Sequence, residues 1–276
     1  MSETTNQKLS GISETYLAPL YWKAMETQRP DAMIQDEKAV ALVTQGVLDF
    51  SQVSEIPMNE LLLAMRIIFT REFDRHARDF INRQPDAVVV HIGCGLDSRF
   101  ERVDNGQVEW YDLDLPEVIE LRRILLNEEH ERYHLLGCSV LEHGWLEEVD
   151  ACSSHPFLFL AETVFVYFTE AQVKSLVLTL RDHFPEAELV FDGWKPYEVW
   201  LANRYLSKSL LAGLMRWGLR EGRELESWGK GIRLLDEWGF FDQPEPRLAS
   251  FNWMAPLFRL FKPMRIFRFQ LGEASG

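Results

Sequence analysis

Two short stretches hold residues whose kind and spacing can do chemistry. Gly93-Cys94-Gly95 follows a β-branched run, AVVVHI, and leads through GLDSRF into a helical pattern. Glycines at a strand-to-helix turn let backbone approach a ligand where a side chain would collide, although such glycines also serve purely geometric ends. Nineteen residues beyond Gly95, at the end of the next strand pattern, stands Asp114 of Asp112-Leu113-Asp114. An acid about 20 residues past a glycine turn can accept both hydroxyls of a ribose, so the two features together point to a nucleoside ligand.

The turn also bears on which nucleoside. A dinucleotide fingerprint has a third glycine there, so that helix and strand pack closely beside a pyrophosphate. This chain has Ser98, preceded by Asp97. An acid at that point repels a pyrophosphate but suits a ligand carrying an amine and a sulfonium, which favours S-adenosylmethionine over NAD or FAD; the plainer reading of Asp97 is a turn or capping carboxylate. Glu162 ends an apolar strand pattern, where ligands of open α/β sheets gather, and a structural ion pair is its alternative role. His91 lies inside a strand and is expected to be a satisfied core residue. No two histidines have metal-ligand spacing, so no metal is expected. Cys94 has no identifiable base and is not read as a nucleophile.

These residues need elements to hold them. From about Ile12 to Gln84 the pattern is helical, most clearly from Pro57 or Asn59 to Arg83, where Leu62, Met65, Phe69, Phe73, Ala77, Phe80 and Ile81 form one stripe. Pro85-Asp86 ends it. Five strand patterns then follow: AVVVHI, VEWYDLD, RYHLLGC, PFLFLAE and AELVFDGW, most of them separated by helical stretches such as Glu170–Phe184. Strands alternating with helices imply βαβ units and a parallel sheet with right-handed crossovers. Pro196 to Phe240 reads as largely helical, and MRIFRFQLG reads as a last strand. The expected organisation is a helical cap region over 1–84 and an α/β domain over 85–276, with a helical insertion at about 196–240.

The chain has 276 residues, 46% hydrophobic and 26% charged, which is enough for a sizeable core. A formal net charge of −14 disfavours a nucleic-acid partner. The charge is uneven: residues 101–150 carry 14 acids against 4 bases, whereas 247–270 carry five bases and no acid. Solvated helix faces account for that most simply; a basic cover suited to an anionic substrate is the sharper reading. The apolar run Phe157–Phe168 is too short to span a bilayer and contains Glu162. The start is polar, and Cys94, Cys138 and Cys152 form no CxxC pair, so free thiols in a cytoplasmic protein are expected.

With these residues placed, the chain resembles the leucine carboxyl methyltransferase and polyketide O-methyltransferase family, within the class I S-adenosylmethionine-dependent methyltransferases. VVVHIGCGLDSRF resembles its first motif, VEWYDLDLPEVIELRR its second and FLFLAETVFVYFTEAQV its third, and FTREFDRHARDFI resembles its upstream helix. The ELESWGKGIRLLDEWGFFDQPEPRL stretch is similar to the bacterial polyketide-type branch. The resemblance implies a Rossmann-like, mostly parallel seven-stranded sheet. It implies a cofactor held by Arg71 at the methionine carboxylate, Gly93 and Gly95 at the hinge, Asp114 at the ribose and Glu162 at the amino group. Where the family often has an Asp-Leu pair for the adenine, this chain has Ser139-Val140. Tyr167 falls at the family's tyrosine and Arg99 at its motif arginine, which is expected to tie the sheet edge to the acidic turn, through Asp112.

The implied reaction is methyl transfer to an oxygen, with a small-molecule carboxylate as acceptor and Arg204 and Arg223 among the basic residues of the cap. A dinucleotide-dependent oxidoreductase and a non-catalytic cofactor-binding protein are the alternatives. S-adenosylhomocysteine, and not NAD, should therefore raise the melting temperature. Asp114→Ala should keep the fold and lose that stabilisation; calorimetry showing wild-type affinity in the folded variant would remove the ribose assignment.

Overall fold

The structure, a computed structural model, describes residues 14–46, 48–54, 59–126, 129–150, 155–205 and 213–272. Three helices come first, α1 (Glu14–Thr27), α2 (Glu37–Thr44) and α3 (Ser51–Ser54), followed by the long α4 (Glu60–Arg83). The side chain of Asn59 caps α4 by accepting the Leu62 N–H at 2.9 Å, and the helix ends just before Pro85. The sheet strands are β1 (Val88–Ile92), β2 (Glu109–Asp114), β3 (Tyr133–Gly137), β4 (Phe157–Ala161), β5 (Glu188–Gly193), β6 (Ile232–Gly239) and β7 (Arg265–Leu271). Between them run α5 (Arg99–Val103), α6 (Pro116–Leu125), α7 (Gly144–Asp150), α8 (Glu170–His183), α9 (Pro196–Tyr205) and α10 (Ala255–Phe261).

The strand order is β3-β2-β1-β4-β5-β7-β6. β1 to β5 are parallel, and β7 lies antiparallel between β5 and β6. The order reverses at β1, between β2 and β4, which opens a crevice beyond the carboxyl ends of these strands. β1 is buried on both faces because both faces are covered. Val89 packs with Phe69, Phe73 and Phe80 of α4 on one side. Val88, Val90 and Ile92 pack with α7 and α8 on the other. Each fully buried phenylalanine there stabilises the fold by about 2–3 kcal/mol. A third cluster joins Leu17, Leu20 and Ala24 of α1 to Leu96 and Leu121, so the N-terminal helices sit over the glycine turn.

One part of the expected pattern differs. Among the described residues of Pro196–Phe240, Pro196–Tyr205 is α-helical and Gly222–Trp228 is a 3₁₀ stretch, while Ile232–Gly239 is a strand. Its register shifts between Leu234 and Asp236, which breaks the period-two alternation that marks a strand in sequence. Its pairing partner, β7, lies a further 26 residues along the chain. Cys94 is buried, and both it and Cys138 are free thiols; Cys152 lies outside the described residues. No described helix is long and apolar enough to cross a membrane.

His76, buried in the middle of α4, has an Nδ1 atom with no hydrogen-bond partner among the described residues. Burial, reinforced by Arg75, pushes its pKa down to about 4. The unfolded chain therefore binds a proton at His76 below about pH 6.5 that the folded chain refuses until about 4, so stability is lost as pH falls through that window. Denaturant melts of His76→Gln should show a shallower loss between those pH values, by roughly 3 kcal/mol in all. Parallel pH profiles for wild type and variant would refute this.

Candidate active site

The glycine turn is built by backbone conformation and then pinned from outside. Gly93 and Gly95 have φ of +67° and +52°, in the left-handed region that costs a side chain energy. A Cβ on Gly93 would stand 2.4 Å from Cγ2 of Val164, so the position is closed sterically as well. The Gly93 N–H donates to the Leu113 carbonyl at 2.7 Å. The Gly95 N–H donates to one oxygen of Asp114 at 2.8 Å, and the Leu115 N–H to the other at 2.7 Å. The hinge and the acid 19 residues beyond it therefore touch. Burial raises the Asp114 pKa, and these two N–H groups only partly offset it.

Arg122 of α6 fixes the carbonyl side of the same turn. Its guanidinium donates to the carbonyls of Gly95 (2.9 Å) and Asp97 (2.8 Å), to Asp112 (2.6 Å) and to the Tyr133 hydroxyl (2.6 Å). Tyr133 in turn donates to Asp112 at 2.6 Å, and the Trp110 indole donates to it at 2.8 Å. Burial opposes ionisation of Asp112, but the Arg122 charge and the hydrogen bonds from His91 and Tyr133 outweigh it and hold its pKa down to about 2.

From Asp112 the contacts run to Glu162. His91 donates from Nδ1 to Asp112 at 3.1 Å, since a carboxylate only accepts. Its Nε2 then accepts from Arg99 at 3.0 Å, which assigns the Nδ1–H tautomer. Arg99 also donates to Asp74 at 2.8 Å and to Glu162. Thr70 donates to the second Glu162 oxygen at 3.0 Å. Beyond Glu162 comes a strained residue, Thr163, with φ of +57°. A β-branched residue there costs about 1–2 kcal/mol. Asp192, at the end of β5, accepts the Thr163 N–H at 2.5 Å and the Trp194 indole N–H at 2.8 Å. Burial, with the Glu162 charge adding to it, pushes Asp192 up to about 6.

α1 closes the cleft from above. Tyr16 lies over Gly95, its ring 3.3 Å from where a Cβ would be. Burial first, then the charges of Asp114 and Glu117, push its pKa up to about 12. Lys23 of α1 pairs with Asp97 and with Asp36. Arg102 pairs with the same two acids at 2.8 and 2.9 Å, and Ser98 donates to Asp36 at 2.5 Å.

The sequence-derived residues are thus partly brought together. Gly93, Gly95, Asp114 and Glu162 line the carboxyl edge of β1, β2 and β4. Ser139 and Val140 follow β3 alongside them, with the Cys138 N–H bound to the Asp114 carbonyl at 2.9 Å. The Val140 carbonyl accepts the Trp145 indole N–H at 3.2 Å. A cavity of about 160 Å³ behind Val140 is smaller than the roughly 300–1,000 Å³ usual for cofactor sites. Tyr167 ends a 3₁₀ turn, Phe165–Tyr167, close to Arg66 and Asp192.

Three of the expected residues make contacts that the sequence did not suggest. Arg71 faces Glu245 at 2.7 Å and Glu72 at 3.3 Å, bracing a 3₁₀ stretch, Pro246–Met254, against α4. Arg99 does not bond Asp112 directly and reaches it through His91. Asp97 is neither a helix cap nor a free charge, because Lys23, Arg99 and Arg102 surround it. Its pull on a sulfonium is therefore largely neutralised. The cap arginines lie towards solvent: Arg204 stacks on Trp200, and Arg223 faces Glu226 at 3.5 Å with 78% of its side chain exposed.

Sequence reasoning missed Tyr16, Arg66 and Asp192. The i, i+4, i+8 spacing of Arg66, Thr70 and Asp74 held a signal, for it puts Arg66 on the α4 face that bears the contacts to Glu162 and Arg99. Asp192 had the same signal as Glu162, an acid at the carboxyl end of a buried strand. Tyr16 had none.

A seven-stranded sheet of this order, with a glycine hinge and a diol-competent acid at its switch point, is the frame of an S-adenosylmethionine-dependent methyltransferase. Comparison with solved structures gives the same fold. A putative methyltransferase from Thermobifida fusca superposes with a TM-score of 0.57 at 16% identity, covering 93% of this chain and 94% of that one.

The family follows from sequence comparison. The leucine carboxyl methyltransferase model matches residues 17–181. The tetracenomycin polyketide synthesis O-methyltransferase TcmP of Streptomyces glaucescens is 33% identical over 245 residues, 88% of each chain. The S-adenosyl-L-methionine-dependent methyltransferase dpfgK of Gibberella zeae is 28% identical over 90% of this chain and 88% of its own. The chain belongs to the leucine carboxyl methyltransferase family and is an S-adenosylmethionine-dependent methyltransferase, which sets aside the dinucleotide oxidoreductase.

Removing the cation that holds the turn should be costly. Arg122→Met leaves Asp112 buried without its positive partner and should lower stability by about 3–5 kcal/mol in denaturant melts. A loss under about 1 kcal/mol would show that the turn does not depend on it.

Proposed function

We propose that the protein transfers a methyl group from S-adenosylmethionine to an oxygen of a small-molecule carboxylate. The state of the titratable groups round the cleft carries this reading. Burial keeps Tyr16 (about 12) and Tyr167 protonated at neutral pH, so both phenols are donors. His91 engages both ring nitrogens, and Asp192, 2% exposed and turned to the Thr163 and Trp194 N–H groups, is committed to bracing the corner after β4. An acceptor met by donors and, among the described residues, by no base placed to deprotonate it has to arrive as an anion, and a carboxylate does so at pH 7. The likeness to an enzyme named for polyketide synthesis and O-methylation supports an oxygen on a polyketide-like acid.

The residues suit the cofactor. Asp114 has each oxygen bound to one backbone N–H, which leaves one lone pair on each for the two hydroxyls of a ribose. Gly93 and Gly95 let the chain pass close beneath it, and Ser139 with the Val140 backbone meets the adenine edge. Glu162, its rotamer fixed by Arg99 and Thr70, meets the amino group. Arg66, which has no carboxylate partner among the described residues, takes the part expected of Arg71 and binds the methionine carboxylate. When bound, the cofactor supplies a methyl group already activated by its sulfonium. What remains for the chain is alignment and the exclusion of water. Tyr167 orients the acceptor with its hydroxyl, and α1 shuts the cleft. On this reading residues 1–84 cap a catalytic domain over 85–276.

Incubation with S-adenosylmethionine carrying an isotopically labelled methyl group and a panel of aromatic and polyketide-like acids and phenols tests the acceptor. The label should enter acids, leave as methanol in mild base, and enter at a rate flat with pH above about 6, where carboxylates are ionised. Base-stable ethers, or no incorporation despite cofactor binding, would defeat the proposal. In calorimetry, Arg66→Gln should weaken S-adenosylhomocysteine binding about tenfold and Arg71→Gln less than about threefold; the reverse order would return the clamp to Arg71.

A further inference from the structure

The corner after β4 is held in a conformation its own sequence disfavours. Thr163, β-branched, sits at φ +57° between Glu162 and Val164. Both neighbours touch the cofactor region proposed above: Glu162 is bound by Arg99 and Thr70, and Val164 fills the space beside Gly93. If Thr163 relaxed to negative φ, the chain would rotate at this point and both neighbours would move. The Val164 carbonyl accepts the Tyr167 N–H at 3.0 Å on the far side of the corner, but β4 ends at Ala161, so the strand ladder does not hold Thr163 itself. The hydrogen bond that anchors the Thr163 N–H comes from another strand, 29 residues along: Asp192 Oδ1, at 2.5 Å. Asp192 is itself 2% exposed, and its other oxygen is steadied by Trp194.

We propose that Asp192 is a positioning residue of the methyl-transfer site, which holds Thr163 in its left-handed conformation and thereby seats Glu162 and Val164 for cofactor binding. It touches neither the cofactor nor the acceptor on this reading. The inference rests on the cofactor placement proposed above, and Asp114→Ala serves as the control for that placement.

The substitutions separate holding the corner from merely filling the core. Asp192→Ala removes the acceptor and leaves Thr163 strained and unanchored. Asp192→Asn keeps a carbonyl oxygen for the Thr163 N–H, although its amide faces the Trp194 N–H, donor against donor. Asp192→Ala/Thr163→Gly takes away the strain, since glycine adopts positive φ freely. S-adenosylhomocysteine affinity is read by calorimetry and stability by thermal melts.

Asp192→Ala should weaken S-adenosylhomocysteine binding about tenfold or more, and the double variant and Asp192→Asn should recover to within about threefold of wild type. A purely structural role moves the melting temperature and leaves affinity alone. Wild-type affinity in a folded Asp192→Ala protein, or a double variant as weak as the single one, overturns the proposal. If Asp114→Ala binds normally as well, the cofactor placement falls with it; if only Asp114→Ala is weak, the placement stands and the role of Asp192 does not.

Discussion

The buried contact between Arg122 and Asp112 is what the rest of the site depends on. Two charges taken from water are stable together only when hydrogen bonds replace the lost solvation, and here both Nη atoms of Arg122 and both oxygens of Asp112 have partners. Asp112 accepts from Arg122, Tyr133, Trp110 and His91. Arg122 uses its remaining reach to hold the carbonyls of Gly95 and Asp97. The conformation of the glycine turn is thus set by a side chain two elements away as well as by its glycines. Through His91 and Arg99 the same cluster fixes Glu162 on the neighbouring strand. One connected set of hydrogen bonds therefore aligns the ends of β1, β2 and β4, and the cleft they form is preorganised.

Much of this was legible in the chain. β1 to β5 and β7 are short buried runs bounded by turn residues, and α4 carries a helical stripe over 24 residues. The hinge and Asp114 follow from a local spacing that physical chemistry constrains tightly. What was not legible depends on partners far away in sequence. Asp97 reads as a free acid until Lys23, 74 residues earlier, is folded against it. Arg71 and Arg66 differ in which way a helix faces, and the five-residue step from one to the other turns it by well over a full turn. β6 escaped because a bulge breaks its alternation and its partner strand comes later. Each of these is a tertiary fact imposed on a locally ambiguous segment.

The carboxylates of the site show how little residue type alone decides. Asp112, Asp114 and Asp192 are all buried at the same sheet edge. Asp112 has a cation and three further donors and is held down to about 2. Asp192 has two neutral donors and a nearby negative charge, and is pushed up to about 6. Asp114, between backbone N–H groups, is also raised. Donor count and neighbouring charge suit the first to clamping, the second to bracing and the third to binding a ligand.

α1 is bound to regions that leave the ribosome long after it. Its Glu26, whose side chain is fully buried, accepts from Arg247 at 3.2 Å, 221 residues away, and Lys23 waits for Asp97. During synthesis α1 can pack on α2, Leu96 and Leu121 well before Arg247 is made, but the Glu26 carboxylate lacks that partner until then. Contacts of such long sequence separation form late and slowly. The Glu26–Arg247 contact is consequently among the last to form, and loss of Arg247 would leave α1 held by its earlier partners alone.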